Sequence, residues 1–173
     1  MNIKSRLLKA HKELQEIANN TTDGNDTILI NLRKWYLAHM RVIDPELTEK
    51  SHEIQLLLSE KISNIPLTQT SKKYFFRRAN ELKLEKRKYF SSDISFLIRE
   101  LIVHKDENAV CTRCQMMGYD IEYLTDRQTK QVVKVCQWCN NATTIDGEEY
   151  TVQGKLYPST KEELLQTGII DFT

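Results

Sequence analysis

Apolar residues recur over the first hundred positions of the chain with the spacing that amphipathic helices require. Between Ile3 and Ala18 they return at intervals of three, four and seven residues, which aligns them on one face of a helix. Similar stripes follow, and polar or proline-containing segments typical of helix ends separate them. The polar residues at 91–93 are expected to cap the last stripe. The pattern predicts a bundle of five helices, over about 3–18, 27–43, 46–63, 70–90 and 93–105.

The last third of the chain has a different pattern, in which short extended segments replace the helical stripes. Residues 119–124 and 130–135 are predicted to form two strands, joined by the polar turn 125–129. A second, shorter hairpin or a pair of extended segments is predicted from residues 149–153 and 155–157, which flank a glycine. We expect four apolar and aromatic side chains of this second hairpin to cover the first: Tyr150, Val152, Leu156 and Tyr157.

A C-terminal helix is predicted to begin near Ser159 or Thr160, since each is followed three residues later by a glutamate, as in a capping box. Gly168 is expected to end this helix. The apolar residues of the helix and tail are expected to pack, the tail either on the bundle or on a partner: Leu164, Leu165, Ile169, Ile170 and Phe172. The predicted fold class is therefore α+β, with a helical bundle at 1–106 and a small β module with a terminal helix at 107–173.

Composition places the chain among folded proteins with an ordinary core, because 40% of its 173 residues are hydrophobic and 28% are charged. No run approaches the ~18 consecutive apolar residues of a membrane span, and no apolar run of a secretory signal follows the first residues. We therefore expect a cytoplasmic protein. The net charge is +1, but residues 1–110 carry +4 and residues 111–173 carry −3. Neither value is large enough to indicate nucleic-acid binding by itself.

The four cysteines of the chain form two Cys-x-x-Cys pairs, Cys111 with Cys114 and Cys136 with Cys139, separated by 21 residues. In such a pair the turn directs both thiolates at one ion, and two pairs supply the four-sulfur tetrahedron that Zn²⁺ prefers. Two structural disulfides are less expected than a metal site, because we expect a cytoplasmic protein. A redox pair is also less expected, because the chain has two such turns. Four thiolates also fill the coordination sphere, so we expect structural rather than catalytic zinc. The spacing of the cysteines alone does not distinguish zinc from iron.

Residues 111–142 resemble the zinc-ribbon and treble-clef class of modules, in the two Cys-x-x-Cys turns and the hairpin between them. The resemblance implies a structural Zn²⁺ and a small β fold. Modules of this class occur in nucleic-acid-binding, nuclease and protein-interaction proteins, so the resemblance does not select one activity.

A treble-clef nuclease is the main enzymatic alternative, because Asn140 directly follows the last cysteine as in those enzymes. Their chemistry also needs a histidine base and ligands for a second cation, and no histidine follows His104. Only three acidic residues near the hairpin could hold Mg²⁺: Asp120, Glu122 and Asp126. We therefore expect a protein that is not an enzyme.

A strongly basic segment lies between residues 72 and 88 and is interleaved with aromatic residues, as in proteins that contact phosphates and stack on bases. The cations of this segment and the arginine of the first Cys-x-x-Cys turn are the candidate residues of a nucleic-acid-binding alternative: Lys72, Lys73, Arg77, Arg78, Lys83, Lys86, Arg87, Lys88 and Arg113. The same cations fit a solvated bundle face, since the apolar stripe through Phe75 and Ala79 points inward. An acidic protein partner is a third explanation.

The absence of a nucleophile elbow and of a glycine-rich phosphate loop gives no indication of a small-molecule substrate. We therefore expect a zinc-stabilised binding protein with a protein partner, for example a small inhibitor of the immunity type that neutralises a bacterial toxin. Six acidic residues near the C-terminus are compatible with this role, because carboxylates imitate phosphates toward a basic partner: Asp146, Glu148, Glu149, Glu162, Glu163 and Asp171.

Overall fold

The computed structural model describes most of the chain: residues 2–20, 25–43, 51–59, 62, 64–65, 67–82, 87–106, 108–115 and 121–169. Its architecture is α+β, as predicted, with helices first and a small antiparallel sheet with a terminal helix afterwards. The chain divides into two compact units. The first, the helical unit, contains residues 1–63 and 67–102, and the second, the sheet unit, contains residues 64–66 and 103–173.

Five helices of the helical unit lie in the described residues: α1 Ile3–Asn19, α2 Asn25–Ile43, α3 His52–Leu58, α4 Gln69–Glu81 and α5 Arg87–Ile102. Asn2, Ser51 and Thr68 cap α1, α3 and α4, because each side chain accepts a hydrogen bond from the backbone N–H three residues later. Helix α1 packs on α2 and α4, and α5 packs on α4, α3 and α2. The core between these helices is aliphatic and aromatic, and its largest fully buried members include Leu14, Leu32, Tyr36, Phe90, Ile94 and Leu101.

The predicted helix at 70–90 is wrong, since α4 ends at Glu81. Leu82 has an extended backbone with ψ of 131°, and α5 already begins at Arg87. The polar residues at 91–93 consequently lie inside α5 and do not cap it. Ser91 is buried and donates its hydroxyl to the carbonyl of Ile43 at 2.9 Å. Good helix formers fill the sequence around this break, so local preference carries no stop signal there.

The third predicted helix, 46–63, is also too long. Helix α3 begins after the extended Ser51 and ends before Ser59, whose backbone is extended with ψ of 163°. The hydroxyl of Ser59 donates to the carbonyl of Leu56 at 2.7 Å, which satisfies one of the free carbonyls at the helix end. Residues 46–50 lie outside the described residues.

A polar contact joins α1 to α2 beside the buried core. His39 Nε2 lies 2.6 Å from Glu13 Oε2, and Trp35 donates its indole N–H to the carbonyl of Ala10 at 2.8 Å. The hydrogen bond with His39 is the main cause that lowers the pKa of Glu13 below its ordinary value of 4.5. A carboxyl whose folded pKa is lowered stabilises the fold above its unfolded pKa and loses that contribution as the pH falls.

We expect Glu13→Gln to flatten the pH dependence of stability of the helical unit between about pH 6 and pH 3. The effect is expected to stay below about 1 kcal/mol, because the carboxylate is partly exposed. The measurement is urea unfolding followed by circular dichroism at 222 nm across this pH range. Glu16→Gln, an exposed change on the same helix, should keep the wild-type profile; equal profiles for both variants would contradict the contribution of Glu13.

The sheet has four antiparallel strands in the order β3-β2-β1-β4, with β1 Ile121–Asp126, β2 Val132–Cys136, β3 Ala142–Thr143 and β4 Leu156–Pro158. Ile121 pairs with Cys136, Tyr123 with Lys134 and Thr125 with Val132. The two central strands are thus predicted correctly in kind, but each ends one or two residues later than expected. Residues 119 and 120 lie outside the described residues.

The second predicted hairpin is wrong, because residues 149–153 and 155–157 do not pair with each other. Strand β4 pairs with β1. Glu149 instead forms an isolated bridge with Thr143, the last residue of β3. Val152, expected to cover the sheet, is exposed. The cause is long-range pairing: the edge of β1 offers free backbone groups that a local pattern cannot reveal.

The terminal helix, α6 Lys161–Gln166, begins as predicted at Thr160, which forms a complete capping box with Glu163. Gly168 follows it in the left-handed conformation, with φ of 69°. Leu164 is fully buried with Tyr123 and Val132, whereas Leu165 is 45% exposed, contrary to the expectation for both leucines. Ile169 packs on this same cluster within the sheet unit. Ile170 and Phe172 lie outside the described residues.

Candidate metal centre

The four cysteine sulfurs converge on one point of the sheet unit, since all four Sγ atoms lie within 4.8 Å of one another. Cys111 Sγ lies 3.6 Å from Cys139 Sγ, and Cys114 Sγ lies 3.6 Å from Cys136 Sγ. These separations exceed the ~2.05 Å of a disulfide. They approach the edge of about 3.8 Å that a tetrahedron has when its corners lie ~2.3 Å from a central Zn²⁺. The cluster can therefore hold one metal ion.

The two Cys-x-x-Cys turns have the same backbone geometry. The N–H of Gln115 donates to the carbonyl of Cys111 at 2.9 Å, and the N–H of Asn140 donates to the carbonyl of Cys136 at 2.8 Å. Gln115 and Asn140 have positive φ angles of 61° and 56°. Asn140, which resembles a nuclease residue in the sequence, thus occupies the left-handed position that closes the second turn, a conformation that asparagine tolerates better than most residues.

The register of the hairpin brings the two turns together. Because Ile121 pairs with Cys136, the start of β1 and the end of β2 lie at the same end of the sheet. Ile121 packs with Cys111 and Cys136 in a small buried cluster, on which Cys114, Cys139 and Ala109 also pack. Cysteine side chains thus form most of the local core, and a bound ion would complete it.

The backbone favours a thiolate at Cys111. Burial raises the pKa of this thiol, but hydrogen bonds from the backbone N–H groups of Cys114 and Arg113 outweigh burial and lower the pKa to about 7. For Cys136 the balance is opposite, since burial raises the pKa of its thiol above the ordinary value. These buried thiols require a bound cation to stay in the thiolate form, because metal ligation keeps the thiols deprotonated.

The two described acidic residues named for the nuclease alternative, Glu122 and Asp126, do not join this cluster. Side chains alternate between the two faces of a strand, so Glu122 and Asp126 lie on the face opposite to Ile121 and the cysteines. Glu122 is buried and lies 4.0 Å from the ammonium of Lys105. Asp120 lies outside the described residues.

Asp126 has a structural role in holding a neighbouring loop. Its buried carboxylate accepts hydrogen bonds from the backbone N–H groups of Gln153 at 2.7 Å, Gln128 at 2.9 Å and Gly154 at 3.2 Å, and from the hydroxyl of Tyr150 at 3.1 Å. Burial raises the pKa of Asp126, but these donors outweigh it and lower the pKa overall. No sequence motif marks this role, because three of the four donors come from a loop more than twenty residues away.

The cations of the nucleic-acid-binding alternative belong to several elements of the structure. Lys73, Arg77 and Arg78 are exposed on α4, where Lys72 is half-buried. Arg87 and Lys88 belong to α5, so the single basic helix expected over 72–88 is wrong. The structure does not describe the side chains of Arg87 and Lys88, or any part of Lys83 and Lys86. Arg113 is exposed on the first cysteine turn, in the sheet unit.

Not all acidic residues of the C-terminal region face solvent. Glu163 accepts hydrogen bonds from Thr125 and from the backbone of Thr160 and lies 3.6 Å from Arg127. It therefore fastens α6 to the sheet. The remaining described carboxylates of this group are exposed: Asp146, Glu148, Glu149 and Glu162. Asp171 lies outside the described residues.

The exposure of Trp138 has no signal in the sequence. This tryptophan stands inside the second cysteine turn and is 66% exposed, although tryptophan side chains are highly buried on average. Arg113 occupies the equivalent position of the first turn and is also exposed. Because the cysteines on either side of them converge, both side chains project from the immediate surroundings of the metal centre.

Comparison of the chain with models of known protein families, with curated proteins and with solved structures gives no match. Within the described residues, no helix has both the length and the apolar composition needed to cross a membrane. What this protein does has to be argued from its own site.

Proposed function

We propose that the cysteine cluster binds one structural Zn²⁺ and that the protein is a non-enzymatic binding protein for a protein partner. The convergence of four sulfurs within 4.8 Å carries the metal assignment. Four thiolates satisfy the tetrahedral preference of Zn²⁺ completely, so a metal-bound water has no position in this donor set. Zinc would hold the two turns together, and the residues between the cysteines would form a rigid surface.

The chemistry of that surface supports a protein partner. Tryptophan and arginine are the residues most enriched among those that dominate the binding energy of protein interfaces, and Trp138 and Arg113 both stand exposed on turns that zinc would immobilise. A side chain held rigid before binding also loses less conformational entropy on binding. Solvent exposure of a tryptophan is costly, and a partner would remove that cost.

The partner class that we propose is a toxic protein, neutralised in the cytoplasm by this chain as an immunity-type inhibitor. Two features support this role. The acidic side chains Asp146, Glu148 and Glu149 are exposed in the sheet unit and could face the basic surface of a nucleic-acid-cutting toxin. None of the four cysteines forms a disulfide, as a zinc thiolate site in a reducing compartment requires.

We expect Trp138→Ala to weaken partner binding about 30-fold or more, which corresponds to the ~2 kcal/mol typical of a dominant interface residue. A photo-crosslinking amino acid at position 138 would first capture the partner in the cells that make the protein. Binding of the purified partner to wild type and variant would then be measured by calorimetry. Expression of the partner alone should arrest growth, and the wild-type chain, but not Trp138→Ala, should restore it.

Leu165→Ala is the matched control, because Leu165 is a large exposed side chain on α6 of the same unit. It should bind and protect like wild type. A partner that is harmless when expressed alone would contradict the inhibitor role, and equal affinities of the two variants would contradict the surface assigned to it.

A further inference from the structure

The outward face of α4 combines cations with an exposed aromatic ring. Phe76 and Arg77 follow Lys73 by three and four residues and precede Asn80 by four and three, so the four side chains share one face, and all four are exposed. The opposite face carries the buried Phe75 and Ala79. Neighbouring phenylalanines of one helix are thus used differently, one in the core and one at the surface.

The cations of this face have no counter-charge among the residues that the structure describes. Within the described part of the chain, no carboxylate pairs with Lys72, Lys73 or Arg77. Arg77 instead lies over the ring of Tyr74, with its guanidinium carbon 5.0 Å from the ring centroid. Arg78, which points to the other side, is partly neutralised by Glu81 at 3.9 Å. Three cations therefore concentrate positive potential within the first turns of α4, where a polyanion would be attracted.

The exposed ring distinguishes between two kinds of polyanion. Phe76 is 42% exposed and stands one turn after Lys73 and directly before Arg77. An acidic protein surface would use the cations but would gain little from the ring. Unpaired bases have apolar faces spaced along a chain of phosphates, so a single strand could stack a base on Phe76 while Lys73 and Arg77 contact its backbone.

We propose that the α4 face, defined as Lys72, Lys73, Phe76 and Arg77, binds single-stranded nucleic acid. This function goes beyond the proposed inhibitor role and does not depend on the metal, since every residue of the face belongs to the helical unit. The binding is not sequence-specific, because the face offers stacking and charge but no array of groups that reads base edges.

The test is fluorescence anisotropy of a labelled fifteen-residue oligothymidylate titrated with the full-length, metal-loaded protein. If Lys72 contacts a phosphate as well as Lys73 and Arg77, raising the salt from 50 to 200 mM should weaken binding about fifteen- to twentyfold. Phe76→Ala should weaken binding at least about fivefold, as the loss of one stacked base predicts. Phe76→Trp should retain or tighten it, which separates loss of stacking from any loss of folding.

Phe96→Ala is the matched control, because Phe96 is similarly exposed on α5 and also lies beside an arginine, Arg78, but belongs to a different face. It should bind like wild type, and Lys73→Gln with Arg77→Gln should lower the salt slope more than the equally charged pair Lys4→Gln with Lys34→Gln. The proposal is overturned by absence of binding at 50 mM salt, by equal affinities of Phe76→Ala and Phe96→Ala, or by equally tight binding of a polyglutamate of the same length.

Discussion

Replacing Cys136 with serine is expected to abolish metal binding and to unfold the sheet unit while the helical unit stays folded. Among the described residues, the local core at the metal centre contains Cys111, Ile121 and Cys136, and the cluster under α6 has three buried members, Tyr123, Val132 and Leu164. Cores of this size do not offset the conformational entropy of the chain that surrounds them. A structural Zn²⁺ supplies about 10–16 kcal/mol in comparable small modules, so its loss should exceed the remaining stability of the unit.

Three measurements check this result. Elemental analysis should find one zinc per wild-type chain and none in the variant; iron in place of zinc would show as visible colour. Limited proteolysis should cleave the variant within residues 108–169, and circular dichroism should retain most of its helical signal. Thr112→Ser, an exposed change in the first cysteine turn, should behave as wild type. Protease resistance of the hairpin after complete chelation would show that the metal does not hold the sheet unit folded.

Phe90→Ala is expected to destabilise the helical unit by about 3–5 kcal/mol, the range for removal of a fully buried phenylalanine. The side chain of Phe90 is completely buried, and its ring meets the ring of His11 edge-on, with centroids 6.3 Å apart. Its truncation leaves a cavity where α5 meets α1, which the rigid helices around it can fill only in part. The measurement is urea unfolding followed at 222 nm.

The same substitution on the same helix provides the control for this prediction. Phe96 is 46% exposed, so Phe96→Ala should cost less than about 1 kcal/mol. Equal losses for the two variants would mean that α5 does not present Phe90 to the core, and the helix assignment that begins at Arg87 would then be wrong.

Local spacing was sufficient to predict much of this molecule. The donor set of the metal centre could be read from two Cys-x-x-Cys turns, because each turn orients its own thiols through bonds between neighbours. The capping box at Thr160 and the left-handed Gly168 could be read for the same reason. Most of the helices also follow from periodicity, since an apolar stripe requires only that one face be buried.

Other features depended on contacts between distant parts of the chain. The break at Leu82 is invisible to propensity, because the residues around it favour a helix. The pairing of β4 with β1 is decided by the free edge of β1 and by Asp126, which binds the loop that leads to β4. A hairpin predicted from adjacent segments was therefore wrong, although both segments are extended in part.

The sequence by itself determined which atoms can bind a metal and which segments favour helices, because those properties arise within a few bonds or turns. Only the tertiary structure decided which member of two similar pairs is buried: Phe90 but not Phe96, and Leu164 but not Leu165. Burial depends on what packs against a side chain, and the neighbours come from elements far away in the chain. The surfaces proposed for a partner and for a nucleic acid likewise depend on side chains whose exposure only the tertiary structure shows.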